Sequence, residues 1–189
     1  MEKKIQKWKT LGSEYVSQRP WLTARRDTVQ LPDGKVFDEY YVLEYPTWVN
    51  VIAITRDGRY LMVRQYRHGI GEVLTEICAG CAEPGEVPEA AARRELLEET
   101  GFGGGTWELT DVLTANASAN TNLCYCFTAR DVELLDEHQH LDATEDIAIE
   151  FLSREEVFAM LRRGDFKQSL MAAPLWHHFY ALLEAGMRP

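Results

Sequence analysis

No apolar run in this chain approaches the roughly 20 residues needed to cross a bilayer, so no membrane partner is expected. The opening MEKKIQKWKT is basic but no apolar stretch follows it, so it does not read as a secretory leader. Positive charge is in deficit: 20 Lys and Arg stand against 30 Asp and Glu, a net charge of −10. That balance argues against sequence-independent binding to a nucleic acid backbone, and no nucleic acid partner is expected. An acidic chain can still bind phosphates where cations and a few arginines neutralise the site locally. Cysteine is sparse, with four residues at 78, 81, 124 and 126. Cys124-x-Cys126 is too tight for a zinc ribbon, and Cys78-x-x-Cys81 opens no clear helix of the redox type. Buried, reduced thiols and a cytoplasmic location are expected. Internal repeats, low-complexity tracts and long linkers are also missing.

What remains is ordinary for one globular domain with a small appendage: 189 residues, 46% hydrophobic and 26% charged. Pro32-Asp33-Gly34 predicts a turn between strands over 21–31 and 35–45. Further strands are predicted over 48–55 and 60–66, joined at Asp57-Gly58, and over 73–78, 107–114, 123–130 and 146–152. Pro88 suits a first helical position and Gly101 a stop, so a helix is predicted over about 88–100. Gly103-Gly104-Gly105 reads as a flexible connection. Ser153-Arg154-Glu155-Glu156 is a capping-box pattern that opens a helix to about 163, and an apolar helix is predicted over 168–185. Strands dominate, with helices between and after them, which predicts an α+β or α-β-α layered domain.

The densest information lies in Gly80–Phe102, GCAEPGEVPEAAARRELLEETGF. Glu95, Glu98 and Glu99 stand at i, i+3 and i+4 and share a helical face, where like charges repel. A hard divalent cation with oxygen ligands is the simplest way to offset that repulsion. The bland alternative is a solvated acidic face balanced by Arg93 and Arg94.

The order Gly80, Glu86, Arg94-Glu95-Leu96, Glu98-Glu99, Gly101-Phe102 resembles the signature of the Nudix hydrolase family at every defining position. The resemblance implies a Nudix fold: a mixed β-sheet between helices, here with an N-terminal antiparallel β extension. It implies a hydrolysis in which water attacks phosphorus in a nucleoside diphosphate linked to another group, with Mg2+ or Mn2+ as cofactor. It makes Glu95 and Glu99 metal ligands, Glu98 a ligand or helper, and the Ala79 carbonyl a further oxygen ligand. Arg94 is expected to be structural, pairing with Glu86 or orienting Glu95. Gly80 is expected to let the chain turn sharply beside the metal.

The region Val63-Arg64-Gln65-Tyr66-Arg67, with Glu76-Ile77-Cys78-Ala79-Gly80, is similar to that of ADP-ribose pyrophosphatases. Arg67 is expected on the diphosphate or terminal ribose; Arg64 serves the substrate or a structural ion pair. The acidic segment 141–147 is similar to a loop that supplies a metal ligand and often the general base. Glu145 best matches the ligand, while the base stays open among Glu145, Asp142, Glu98 and hydroxide generated at the metal. Glu76, Asn120 and Asn122 complete the expected substrate contacts, and Trp21, Tyr41 and Trp48 are candidate stacking residues. In that subgroup residues like 1–45 form a dimerisation region, so a homodimer is expected, with 46–189 as the hydrolase domain.

Two departures matter. Cys78 replaces a proline before Ala79-Gly80, and Asn120-Thr121-Asn122 replaces a run with charged residues. ADP-ribose leads as substrate, giving AMP and ribose 5-phosphate, with GDP-mannose or another nucleoside diphosphate sugar as rival. A non-catalytic nucleotide sensor and a nucleotide-pool sanitising hydrolase are the other classes. Intact acidic positions favour an enzyme over the sensor.

Overall fold

The computed structural model describes residues 4–187. The chain forms two compact units, one containing the residues up to Tyr45 with Asn116–Asn122, the other Pro46–Ala115 and the residues from Leu123 on.

The first unit is an antiparallel sheet of β1 (Lys9–Arg19), β2 (Leu22–Gln30) and β3 (Val36–Glu44), in that order. The sequence suggested only a hairpin. β1 was missed because all but one of its residues are exposed and it carries two register shifts, so no apolar alternation marks it. Trp21, expected to begin a strand, lies in the turn before β2 with 75% of its surface exposed. The Pro32-Asp33-Gly34 turn is as expected, closed by Gly34 N–H to Leu31 O at 2.9 Å. Buried Asp27 is held by Arg25 Nε at 3.0 Å, and Arg25 also pairs with Glu44. The 116–122 segment joins this unit through Leu43 N–H to Ala119 O and Thr121 N–H to Leu43 O, 2.8 and 3.0 Å.

The second unit contains β4 (Trp48–Thr55), β5 (Tyr60–Arg67), β6 (Glu72–Glu76), β7 (Cys78–Cys81), α1 (Pro88–Thr100), β8 (Phe102–Gly103), β9 (Thr106–Leu113), β10 (Cys124–Leu134), β11 (Ile147–Leu152), α2 (Arg154–Arg163) and α3 (Ser169–Glu184). Its sheet runs β11-β5-β4-β10-β8, with β6 on β5, β7 on β4 and β9 on β10. β4 and β10 are parallel while the other pairs are antiparallel, so the sheet is mixed.

Alternation along β4 builds the layers. Val49, Val51 and Ala53 pack with Ala91, Ala92 and Leu96 of α1. Ile52 packs on the other face with Val157 and Leu161 of α2 and Leu175 and Phe179 of α3. Each fully buried side chain of the Val, Leu or Phe type contributes about 1.5–3 kcal/mol, which is what holds helices to both faces.

The helix ends follow the sequence. Pro88 starts α1, and Gly101 ends it with φ 75°, its N–H reaching Leu97 O at 2.8 Å. Ser153 and Glu156 form the capping box of α2. Two local readings need correction. The strand expected over 73–78 is two strands, broken where Ile77 turns into the α3-side core. The 103–105 glycines are not a bare connection but begin within a strand: Gly103 pairs with Glu133, and a Cβ on Gly105 would sit 2.1 Å from Arg130 O. Among the described residues no helix is long and apolar enough to cross a membrane.

Candidate active site

β7 runs beside β4, with Gly80 opposite Val49 and Ala79 opposite Asn50. The helical spacing of α1 lays two carboxylates onto this short strand. Cys81 N–H donates to Glu95 Oε1 at 3.2 Å, and Ala79 N–H donates to Glu99 Oε2 at 3.3 Å. Gly80 sits between them. It is not the sharp turn suggested by the sequence but a strand residue, and its φ is not left-handed. Its missing side chain leaves room: a Cβ there would lie 2.1 Å from the Glu95 carboxyl carbon.

Glu99 is only 2% exposed. Burial, with the charges of Glu95 and Glu145 nearby, pushes its carboxyl up to about 8. The Cys78 thiol and the Ala79 amide pull the other way. Burial also raises Glu95, opposed by Arg94 and the Cys81 amide. Glu98 lies nearer the surface, with 40% of its side chain exposed.

Arg94 ties the loop to the helix. Its Nε and Nη2 donate to Glu86 at 3.1 and 3.0 Å, Nη2 also to Cys81 O at 2.9 Å. Its Nη1 donates to Glu95 at 3.0 Å and Glu98 at 2.8 Å. These bonds, Glu86 first, hold the guanidinium charged more firmly than usual, and they depress Glu86. Half-buried Glu145 closes its own loop, accepting from Asp142 N–H at 2.9 Å.

Among the described residues no three His, Cys, Asp or Glu side chains form a ready-made metal cage. Arg94 engages two of the helix carboxylates, Glu95 and Glu98, itself. In kind, the donors suit a hard cation: they are carboxylate oxygens, crowded enough that burial and the charges of Glu95 and Glu145 raise Glu99. All four cysteines are free thiols, and Cys78 is pushed well up by burial and by Glu99.

The other expected residues divide between the two units. Arg67 donates through Nε and Nη2 to Oε2 of buried Glu76 at 3.0 and 2.7 Å. Glu76 Oε1 has no hydrogen-bond partner. Arg64 lies 3.5 Å from Glu150, a pairing across β5 and β11. Asn120 and Asn122 belong to the first unit, where Asn120 bridges to Leu43. Of the aromatic candidates, Trp21 and Tyr41 are exposed in the first unit, while Trp48 lies in the second.

Two cavities adjoin Arg67. One, about 220 Å3, is lined by the Ala79–Cys81 strand, Trp48, Asn50 and the start of α3. The other, about 690 Å3, is lined by Tyr66, Ile70, Leu74 and Lys167. Arg67 and Gln168 line both. Asn50 was not singled out from sequence, although an amide inside the apolar run Val49-Asn50-Val51 is a readable signal.

The NUDIX domain family matches residues 45–173. The chain belongs to the Nudix hydrolase family, enzymes acting on pyrophosphate bonds. The nucleoside diphosphate sugar hydrolase N-terminal domain matches residues 8–43 of this Nudix hydrolase. An ADP-ribose pyrophosphatase of Bacillus subtilis is 28% identical over 153 residues, covering 81% of this chain and 82% of its own. One from Mycobacterium tuberculosis is 32% identical over 170 residues, covering 88% and 80%. A solved structure titled as an ADP compounds hydrolase superposes with TM-score 0.84 at 23% identity, covering 99% of this chain and all of that one. That last likeness establishes the Nudix fold.

Proposed function

We propose that this Nudix hydrolase cleaves the diphosphate of a nucleoside diphosphate sugar, with ADP-ribose as the leading substrate and AMP and ribose 5-phosphate as products. The observation that carries the chemistry is the pair of carboxylates, Glu95 and Glu99, laid on β7, where Gly80 leaves the room that Glu95 occupies. The substrate class is supported by the N-terminal domain match and by the activity named for the relatives.

Glu95, Glu98, Glu99, Glu145 and the Ala79 carbonyl would hold Mg2+, with Mn2+ able to substitute. When bound, the cation neutralises the diphosphate and lowers the pKa of a coordinated water. Holding it would call for a charged Glu99, against the burial that raises its pKa, and for a looser grip of Arg94 on Glu95 and Glu98. Arg94 stays anchored by Glu86 and Cys81 O, so the loop remains fixed to α1. Glu98 and Glu145, neither fully buried, are the proposed acceptors for the proton of the attacking water, with Asp142 or a hydroxide generated at the metal as the alternatives. Arg67, braced by Glu76, presents its guanidinium to the diphosphate. Arg64 is assigned to the same region beside Glu150, and Asn120 and Asn122 to hydroxyl or base contacts.

Residues 1–45 are proposed as a dimerisation region and 46–189 as the hydrolase domain of a cytoplasmic homodimer. The first unit exposes Tyr15, Val16, Leu22, Val36, Phe37 and Tyr41, a density of apolar surface typical of an interface. Light scattering at working concentration should give twice the chain mass; a monomer mass would reject the dimer.

A panel of ADP-ribose, GDP-mannose, NADH, diadenosine polyphosphates and oxidised nucleotides with Mg2+ tests the substrate class. Preference for a nucleoside diphosphate sugar is expected. Preference for a triphosphate would overturn the assignment.

A further inference from the structure

We propose that the side-chain carbonyl of Asn50 recognises a hydroxyl of the sugar beyond the diphosphate, bound in the smaller of the two cavities at Arg67. The proposal rests on the reading of the enzyme as a nucleoside diphosphate sugar hydrolase. Asn50 sits mid-strand in β4 and is 1% exposed. Its Nδ2 donates to Leu170 O in the first turn of α3 at 2.7 Å and lies 3.5 Å from Cys124 Sγ. That bond fixes the amide orientation, because turning it over would set Oδ1 against the Leu170 carbonyl. Oδ1 is left buried without a partner. A buried acceptor without a donor is costly, and a ligand hydroxyl supplies one.

The cavities give the direction. The one lined by Asn50 holds about 220 Å3 and borders Ala79, Gly80 and Cys81, the strand on which Glu95 and Glu99 lie. The one beyond Arg67 and Gln168 holds about 690 Å3 and offers Tyr66 and Ile70 as apolar walls. With the diphosphate at Arg67, the larger cavity has room for a nucleoside and the smaller for a single sugar ring. A phosphate group does not suit Asn50, since Oδ1 accepts and cannot donate. A hydroxyl does.

The test compares ADP-ribose with methyl-ADP, which keeps the nucleoside and diphosphate but has no distal sugar. In Asn50→Leu, the ratio of KM for ADP-ribose to KM for methyl-ADP should rise about tenfold over wild type. A loosened fold would affect both substrates alike and leave that ratio unchanged, which overturns the proposal. A second arm needs no variant: wild type is assayed with ADP-ribose analogues, each lacking one distal hydroxyl. One of them should lose about tenfold in kcat/KM. If none does, Asn50 has no such role. Wild type that hydrolyses ADP-ribose while failing either arm rejects Asn50 alone. Wild type inert towards every nucleoside diphosphate sugar rejects the underlying function as well.

Discussion

A methyl group on Gly80 would lie 2.1 Å from the carboxyl carbon of Glu95. Glycine is required here by the approach of a helix side chain to a strand, not by backbone conformation. Gly80→Ala should therefore push Glu95 off β7 or push β7 off α1. A displacement of about 1 Å in a reacting group costs on the order of a hundredfold in rate. Assayed on a variant with an unchanged circular dichroism spectrum, kcat should fall by about that factor. Wild-type turnover would mean that Glu95 need not rest on the strand.

Glu99→Gln keeps the shape of a buried side chain whose pKa burial pushes up to about 8. The fold should survive, with a melting temperature at or above that of wild type in EDTA. Turnover with Mg2+ should drop by at least about a hundredfold, since a neutral amide replaces an anionic ligand. Undiminished metal-dependent hydrolysis would remove Glu99 from the mechanism.

Arg94 bonds to Glu86, Glu95, Glu98 and Cys81 O from a half-buried position. Its removal strands Glu95 among other carboxylates. Arg94→Ala should lose roughly 2–3 kcal/mol in urea denaturation, between the values for exposed and buried pairs. Arg94→Lys should recover little, because an ammonium cannot reproduce the fork. Full recovery by lysine would show that charge alone matters.

His178 is buried against Tyr60, whose hydroxyl lies 2.7 Å from its Nε2. Burial chiefly, with Arg130, Arg154 and His177, lowers its pKa from 6.5 to about 4, while burial raises Tyr60 to about 12. Tyr60 is therefore the donor and neutral His178 the acceptor. Between those two His178 values the unfolded chain binds the proton and the folded chain does not. Stability from this group is complete above pH 6.5 and falls as the pH drops towards 4, by about 3 kcal/mol in all. The stability difference between wild type and His178→Gln should shrink by that order between pH 7.5 and pH 4. A difference independent of pH would contradict the assignment.

The legible parts of this protein are those written in local spacing. Glu95, Glu98 and Glu99 declare a helical face, Pro88 and Gly101 its ends, and Ser153 with Glu156 the next helix start. β1 was not legible because an exposed strand needs no apolar alternation. The break at Ile77 was hidden because apolar residues continue through it while the side chain changes core. The role of Gly80 was misread because close approach across 15 residues leaves no local mark. Asn50 went unnoticed because its meaning depends on Leu170, an element that only the fold brings near.

Calorimetry of metal uptake tests the central claim most directly: crowded carboxylates on α1 form a cation site. Titrating Mg2+ or Mn2+ into the folded protein with AMP present should give saturable binding that weakens by at least about tenfold in Glu99→Gln. No heat from wild type under those conditions, or equal binding by the variant, would contradict the account.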